Sequence, residues 1–285
     1  MSRIAYVNRR YLRLAEASVS IEDRAFQFGD GVYEVCQVAG GALIEEGRHL
    51  ERLERSLKAL RIAAPVGEPA LRWILREVVA RNRVRDGLVY IQISRGVARR
   101  DHGFPGAGVA PGLVVSAKSI DPRLGEANAR RGVAIVTLAD ERWAHPHIKT
   151  LQLLPNVLAK QAAREAGGYE AWLVDAHGFV TEGASTNAWI VAEDGALVTR
   201  QADRAILRGV TRSRLLDIAQ RLGFSFQERP FSLEEAFRAR EAFFSSATTI
   251  AMPVVAIDGR TIGDGRPGRL TLALRRAFHD FAGRT

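Results

Sequence analysis

One lysine, Lys149, stands where an amine could do covalent chemistry. It is one of only four lysines in a chain that carries most of its positive charge on arginine. Unlike arginine, lysine can lose its proton when desolvated and then act as a nucleophile or a base. Lys149 lies between a predicted strand, 132–138, and a helix predicted from about 154 to 166. The other three lysines lie on predicted helices or at a strand end, where a solvated side chain is the ordinary interpretation.

A carboxylate that could bind a protonated aromatic ring nitrogen follows the predicted strand 179–181. Glu182 lies in the run TEGAS, whose small residues would let a planar cofactor approach closely. A carboxylate in that position could keep a pyridine nitrogen protonated. Taken alone, such a residue is more ordinarily an exposed turn glutamate.

A candidate phosphate site opens the helix that follows the run ILRGVTR, 206–212. Gly209 permits close backbone approach, and the N–H groups of Val210 and Thr211 lie at the positive end of the helix. Arg52, on a predicted helix, could supply a counter-charge. The alternatives are a plain helix start and a surface arginine in a salt bridge.

A candidate clamp for a carboxylate lies in the loop 94–105. Arg100 and His102 are two residues apart, so extended backbone would aim both side chains to the same side. A guanidinium matches a carboxylate through two hydrogen bonds, although a solvated basic loop is the plainer interpretation. His145 and His147 lack a third ligand nearby, so no metal site is expected.

In chain order, Arg52, Lys149, Glu182 and the run 209–211 resemble the fold-type IV pyridoxal-phosphate aminotransferases, and the resemblance runs nearly end to end. Three segments are especially close to the D-amino acid (D-alanine) aminotransferases. They are DRAFQFGDGVYEV (23–35), the loop that carries Arg100 and His102, and IKTLQLL with the trailing NVLAKQ (148–161).

The resemblance implies that Lys149 binds pyridoxal 5′-phosphate as a Schiff base and later moves a proton between the substrate Cα and the cofactor C4′. Glu182 would pair with the pyridine nitrogen, and Leu207 would pack on the ring face. Ala247 departs from the family pattern by replacing a phosphate-binding threonine, so Ser246 or Thr248 would substitute and cofactor binding would be weaker than usual. The implied cofactor-binding residues are Arg52, Lys149, Glu182, Leu207, Gly209, Val210, Thr211, Ser246 and Thr248.

The resemblance also implies a homodimer with active sites at the subunit interface. Tyr33, with Arg100 and His102 from the neighbouring subunit, would bind the substrate α-carboxylate. The implied reaction is transamination between D-amino acids (D-alanine, also D-glutamate) and 2-oxo acids such as 2-oxoglutarate or pyruvate. An L-branched-chain aminotransferase or an aminodeoxychorismate lyase would share Lys149 and Glu182, but the Arg-x-His loop argues against both.

The elements that must position these residues are predicted to be mixed strands and helices of the α+β class, in a two-domain fold-type IV architecture. A small N-terminal domain is expected over 1–120, a linker over 121–128 and a larger C-terminal domain with the cofactor lysine over 129–285. In the first domain, Gly40-Gly41 predicts a hairpin between strands 31–38 and 42–45. Apolar spacing predicts helices at 48–60 and 69–81.

Composition narrows the class of protein. The net charge of +9 invites a nucleic-acid-binding hypothesis, but the arginines are interspersed with glutamates and no known nucleic-acid motif appears. No stretch is long and apolar enough to cross a membrane, and no apolar signal-peptide core is expected at the N-terminus. The single cysteine, Cys36, is expected to be a small buried side chain and fits a cytoplasmic protein.

Overall fold

The chain, described over residues 3–283 by a computed structural model, folds into two compact units. The first unit runs up to Asp121 and includes Ile148–Gln152. The second comprises Pro122–His147 and the chain from Leu153 onward. Lys149 therefore makes its contacts within the first unit, whereas the expected division into 1–120, 121–128 and 129–285 had assigned it to the second. That division stays a prediction.

The first unit is built on one antiparallel sheet. Within residues 3–121 its strands are β1 (Ile4–Val7), β2 (Arg10–Arg13), β3 (Gly31–Ala39), β4 (Ala42–Leu43), β5 (Gly87–Ser94) and β6 (Gly112–Ser119). They are ordered β2-β1-β6-β5-β3-β4, and every neighbouring pair is antiparallel. The predicted hairpin is confirmed as β3–β4. Its second strand ends early because Glu45 adopts a positive φ of 56° and begins the next helix.

Within residues 3–121 the helices are α1 (Arg24–Phe28), α2 (Glu46–Leu60) and α3 (Glu68–Arg81), with a short 3-10 turn at Leu14–Glu16. Helices α2 and α3 pack on the sheet through a shared apolar core. The core joins alternate residues of β3, among them Val32, Cys36 and Val38, to the apolar faces of α2 and α3. Cys36 is fully buried, as expected. Glu34 belongs to the same core-facing series, which places a carboxylate inside an apolar layer.

The second unit is built on a mixed sheet. In its described part, the strands are β7 (Val133–Ala139), β8 (Glu170–Val174), β9 (Val180–Gly183), β10 (Asn187–Val191), β11 (Leu197–Thr199), β12 (Phe226–Glu228), β13 (Glu241–Ser246), β14 (Ile250–Ile257) and β15 (Arg260–Thr261). Their order is β12-β11-β10-β13-β14-β7-β8-β9, and β15 pairs with β14. The pairs β11–β12, β14–β7 and β7–β8 are parallel and the others are antiparallel.

The helices of the second unit are α4 (Pro122–Arg131), α5 (Leu154–Glu165), α6 (Val210–Arg221), α7 (Leu233–Arg238) and α8 (Arg269–Phe281). Helix α7 begins with a capping box, in which the Ser232 hydroxyl accepts from the Glu235 N–H and the Glu235 carboxylate accepts from the Ser232 N–H. Strands and helices mix in both units without strict alternation, which is the α+β class predicted. Between residues 3 and 283, no helix is long and apolar enough to span a bilayer.

Helix α4 covers most of the stretch 121–128, for which the sequence analysis expected a linker between the two domains. Only Ala129 of this helix is buried, so its sequence carries little apolar periodicity. Polar contacts hold it instead: Arg275 Nη2 donates to Glu126 Oε1 at 2.6 Å. The interpretation of 121–128 as a linker between the two domains stays a prediction, and within it the chain forms a helix held mainly by polar contacts.

Candidate functional site

Lys149 lies on a short extended segment that joins the edge of β3. Tyr33 N–H donates to Lys149 O at 3.0 Å, and Leu151 N–H donates to Gly31 O at 3.1 Å. The Lys149 N–H also donates to Ser56 Oγ on α2 at 3.3 Å. Backbone bonds on both sides of Lys149 therefore fix the base of a half-buried side chain. Its Nζ lies 4.0 Å from the centroid of the Tyr33 ring.

Behind this segment, three charged or titratable side chains form a buried cluster. Arg52 donates to Glu34 through Nε at 2.7 Å and through Nη2 at 2.8 Å. His49 Nδ1 lies 2.9 Å from Glu34 Oε2. Burial alone would raise the pKa of Glu34, but the charge and hydrogen bonds of Arg52, with His49, lower it to about 2. Burial lowers the pKa of His49, so the imidazole is neutral at pH 7 and donates to the carboxylate.

This cluster bears on the expected role of Arg52. Its guanidinium is buried and matches Glu34 bidentately. The Glu34 carboxylate thus already supplies a counter-charge to the residue that the resemblance implies for phosphate binding, and that role stays a prediction. Glu34 and His49 were not anticipated. The signal was available in the sequence, because a carboxylate at a core-facing strand position requires a buried partner.

In the second unit, Glu182 is a buried carboxylate surrounded by donors. Arg142 Nη1 donates to Oε1, Asn187 Nδ2 donates to Oε2 at 2.9 Å, and the Leu207 N–H lies 3.1 Å from both oxygens. The plainer interpretation of Glu182 as an exposed turn residue was wrong, since its side chain is 6% exposed. The pKa of Glu182 is raised by burial, and Arg142 opposes that rise.

Arg142 is itself held in place by a second carboxylate. It pairs bidentately with Asp140, through Nε at 2.9 Å and Nη2 at 2.7 Å, and also donates to Ala205 O at 3.2 Å. Thr181 Oγ1 lies 2.7 Å from Asp140 Oδ2. The arrangement aims one guanidinium edge at Glu182. Sequence analysis missed Arg142, because nothing in the run Asp-Glu-Arg after β7 indicates a contact 40 residues away.

Glycine is required where α6 begins. A Cβ on Gly209, the N-cap residue, would lie 2.0 Å from Asn187 Oδ1. Asn187 would then be displaced from both Glu182 and the Leu207 carbonyl, to which it donates at 3.0 Å. Because glycine has no side chain to cap the helix, the first N–H groups of α6 are left for another acceptor, as an anion site requires.

The turn between β13 and β14 carries three neighbouring hydroxyl groups. Ser246 Oγ lies 2.8 Å from Thr249 Oγ1 and 3.2 Å from Thr248 Oγ1. Ser246 is half-buried and Thr248 is exposed. Thr249 was not anticipated, although it lies in the same run. Hydroxyls that now bond one another could instead donate to a phosphate.

The loop after β5 brings the two proposed clamp residues to one aromatic ring in the first unit. The guanidinium carbon of Arg100 lies 5.1 Å from the Phe28 ring centroid, and the His102 ring centroid lies 5.4 Å from it. Both side chains are exposed on this chain. The ring of Tyr33, the third proposed member, lies 5.9 Å from the ring of Tyr90 on the neighbouring strand, at a tilt of 31°.

The predicted residues thus fall into two groups. The first unit holds Tyr33, Arg52, Arg100, His102 and Lys149. The second unit holds Glu182, Leu207, Gly209, Val210, Thr211, Ser246 and Thr248. In the described residues, no group of three or more histidine, cysteine, aspartate or glutamate side chains is arranged to hold a metal ion.

Known proteins resemble this chain over nearly its full length. A family model described as "Amino-transferase class IV" matches residues 31–257. A D-alanine aminotransferase of Bacillus licheniformis is 39% identical over 273 residues, which cover 96% of this chain and 95% of the relative.

Solved structures extend the similarity to other activities. A branched-chain amino acid aminotransferase from T.th., complexed with N-(5′-phosphopyridoxyl)-L-glutamate, matches with a TM-score of 0.91 at 25% identity and covers 100% of this chain and 96% of that one. A 4-amino-4-deoxychorismate lyase from Pseudomonas aeruginosa matches with a TM-score of 0.83 at 29% identity, covering 97% and 98%.

Proposed function

Because the chain belongs to the class IV aminotransferases, we propose that it transfers amino groups between D-amino acids, D-alanine foremost, and 2-oxo acids such as 2-oxoglutarate or pyruvate. The fold is fold type IV and the cofactor is pyridoxal 5′-phosphate. The observation that carries the choice of D-amino acids is the loop that holds Arg100 and His102 against one ring. A guanidinium and an imidazole presented together suit a carboxylate, and a relative that is 39% identical over 96% of this chain is a D-alanine aminotransferase.

The residues of the chain fit this cofactor. Glu182 is a buried carboxylate set in place by three donors, which suits a partner for a protonated ring nitrogen. Gly209 leaves an uncapped helix start that suits a phosphate. When bound, pyridoxal phosphate supplies an aldehyde that condenses with amines and a ring that accepts the electron pair left on a deprotonated carbon.

Lys149 is proposed to hold the cofactor covalently and to carry the proton between the substrate Cα and the cofactor C4′. The backbone bonds to Gly31 and Tyr33 restrict where its amine can reach. A base that reaches one face of a planar ring removes only the proton that points to that face. The hand of the substrate is then decided by the residues that fix its carboxylate.

Glu182 is proposed to keep the pyridine nitrogen protonated. Burial raises the pKa of this carboxyl, and the charge and hydrogen bond of Arg142 oppose that rise. The N–H groups of Val210 and Thr211 are proposed to bind the phosphate. Four further side chains complete the proposed cofactor contacts: Arg52, Leu207, Ser246 and Thr248.

The substrate carboxylate is proposed to be bound by Tyr33 together with Arg100 and His102 of a second copy of the chain. Arg100 and His102 are exposed on their own chain, which supports the proposal that they bind a substrate held by a second copy of the chain. A homodimer with two shared sites follows from this proposal, and we place it in the cytoplasm.

The test is the visible absorption of the purified holoenzyme, mixed in turn with D-alanine and with L-leucine. Bleaching of the cofactor band by D-alanine alone supports the proposal. Bleaching by L-leucine alone would make the chain a branched-chain aminotransferase, and bleaching by neither would refute transamination of both classes.

A lysine variant tests the covalent role. Lys149→Ala should abolish turnover and the shifted cofactor band, because the variant has no amine at this position on the β3 edge. Lys58→Ala is the matched control, since Lys58 is an exposed helical lysine paired with Glu54. Full activity in Lys149→Ala would remove this residue from the mechanism.

A further inference from the structure

Three side chains, Arg24, Phe28 and Asp30, lie against the loop that carries Arg100 and His102. We infer that this trio, the loop anchor, positions Arg100 and His102 to receive the substrate carboxylate. This inference rests on the proposed function and assigns positioning residues to it.

Arg24 connects the anchor to the loop backbone. Its side chain is 4% exposed although it is charged. Nε donates to Asp30 Oδ2 at 2.8 Å, while Nη1 donates to the carbonyl of Asp101 at 2.6 Å. Asp101 stands between Arg100 and His102, so one buried guanidinium fixes the peptide that links the two clamp residues. A buried charge is kept only where its partners are well placed.

Asp30 connects the anchor, through Arg95, to the end of helix α2. Arg95, at the start of the loop, donates to Asp30 through Nε at 2.8 Å and Nη2 at 3.0 Å. Arg95 also donates to the carbonyls of Leu60 and Arg61, at the end of α2. Burial alone would raise the pKa of Asp30, but the hydrogen bonds and charges of Arg95 and Arg24 lower it. Two arginines on one ionised carboxylate connect the loop to a helix.

Phe28 holds the two clamp side chains themselves. Its ring contacts Arg100 and His102, and the Arg24 guanidinium carbon lies 4.9 Å from the same ring centroid. Stacking of a cation or an imidazole on a ring restricts side chains that would otherwise rotate freely. The backbone is held as well, since Arg24 N–H donates to Gly96 O at 3.0 Å and Ala98 N–H donates to Glu22 O at 3.3 Å.

Such restraint matters because an exposed, mobile arginine loses conformational freedom when it binds. A clamp whose loop is already fixed before binding does not lose this conformational entropy, so it binds the carboxylate more tightly. Among residues 3–283, the side chains of Arg24 and Asp30 bond to each other, to the loop and to Arg95, and not to Lys149. Loss of the anchor should therefore weaken carboxylate binding more than it slows proton transfer.

The first test variant is Arg24→Lys. Lysine keeps the charge but lacks the planar fork, so it cannot bond Asp30 and the Asp101 carbonyl together in the same geometry. With D-alanine and the holoenzyme, KM should rise about tenfold or more while kcat changes far less. Phe28→Leu, which removes the ring from a half-buried position, is the second variant and should act in the same direction.

Arg99→Gln is the matched control, because it removes a positive charge from the same loop without touching the anchor. Its KM should stay near that of the unaltered enzyme. In an Arg100→Gln background, Arg24→Lys should add little to the increase in KM, since both changes then act on one clamp. Amide hydrogen exchange over 97–103, which needs no turnover, should quicken in Arg24→Lys and not in the control.

The outcomes separate the two proposals. Folded Arg24→Lys and Phe28→Leu enzymes with an unchanged KM would overturn the anchor, as would additive effects of Arg24→Lys and Arg100→Gln. If the unaltered enzyme accepts only L-amino acids, the proposed function fails, and the same KM comparison with L-leucine still tests the anchor. An enzyme inactive with every amino acid overturns both.

Discussion

Replacing Glu34 with glutamine should lower the free energy of unfolding by about 3 kcal/mol at pH 7. Burial raises the pKa of Glu34, but Arg52 and His49 lower it from the ordinary 4.5 to about 2. Each tenfold change in an ionisation constant corresponds to about 1.36 kcal/mol, so the ionised carboxylate is favoured by about 3 kcal/mol over the neutral form that glutamine resembles. The substitution also removes the counter-charge that Glu34 gives to buried Arg52, which acts in the same direction.

The pH dependence gives this prediction its sign. The folded-state pKa of Glu34 lies below the unfolded value, so its contribution is complete well above pH 4.5 and disappears as the pH falls through about 2. The difference in unfolding free energy between the unaltered chain and Glu34→Gln should therefore shrink from about 3 kcal/mol at pH 7 to about 1 kcal/mol at pH 3.

Urea unfolding followed by circular dichroism, repeated from pH 7 to pH 3, measures that difference. Glu54→Gln is the control, because Glu54 is an exposed carboxylate on α2, the helix that carries Arg52 and His49, and it pairs with Lys58 at the surface. A Glu34→Gln difference that stays constant across the pH range would refute the electrostatic reasoning. So would a Glu34→Gln chain as stable as the unaltered one at pH 7.

Two further substitutions test the second unit. Arg142→Met removes the charge that opposes the rise in the pKa of Glu182 caused by burial, so the pKa of that carboxyl should rise further. The acidic limb of the kcat–pH profile should then move to higher pH. An unmoved limb would contradict the role of Arg142. Gly209→Ala should weaken cofactor binding by about tenfold or more, measured by titration of the apoenzyme, because the new Cβ would displace Asn187. Gly125→Ala, whose Cβ would meet nothing within 4 Å, should bind cofactor normally.

Periodicity predicted the long elements well and the short ones poorly. Helices α2 and α3 end where their apolar spacing predicted and begin within two residues of the predicted starts. Strands β11 and β15 have only three and two residues, too few for a period to be read. They form because neighbouring strands offer unpaired backbone groups, which is information that lies elsewhere in the chain.

The residues of the candidate site also differ in whether the sequence alone could identify them. Lys149 and Glu182 could be identified from residue type and local setting, together with the family resemblance. Arg142 could not, because its contact with Glu182 depends on the pairing of β7, β8 and β9. Glu34 could have been identified, since a carboxylate among the core-facing residues of β3 indicates that a cationic partner is buried beside it.

The position of Lys149 in a late segment of the first unit determines when that unit can be completed during synthesis. Synthesis proceeds from the N-terminus, so β3 leaves the ribosome more than 100 residues before the segment Ile148–Gln152. Until that segment arrives, the Tyr33 N–H and the Gly31 carbonyl lack the partners they have in the finished protein. A fragment ended at Asp121 would keep this gap permanently. The first unit is thus completed by the same few residues that bring the reactive amine, and a nascent chain gains both at one moment.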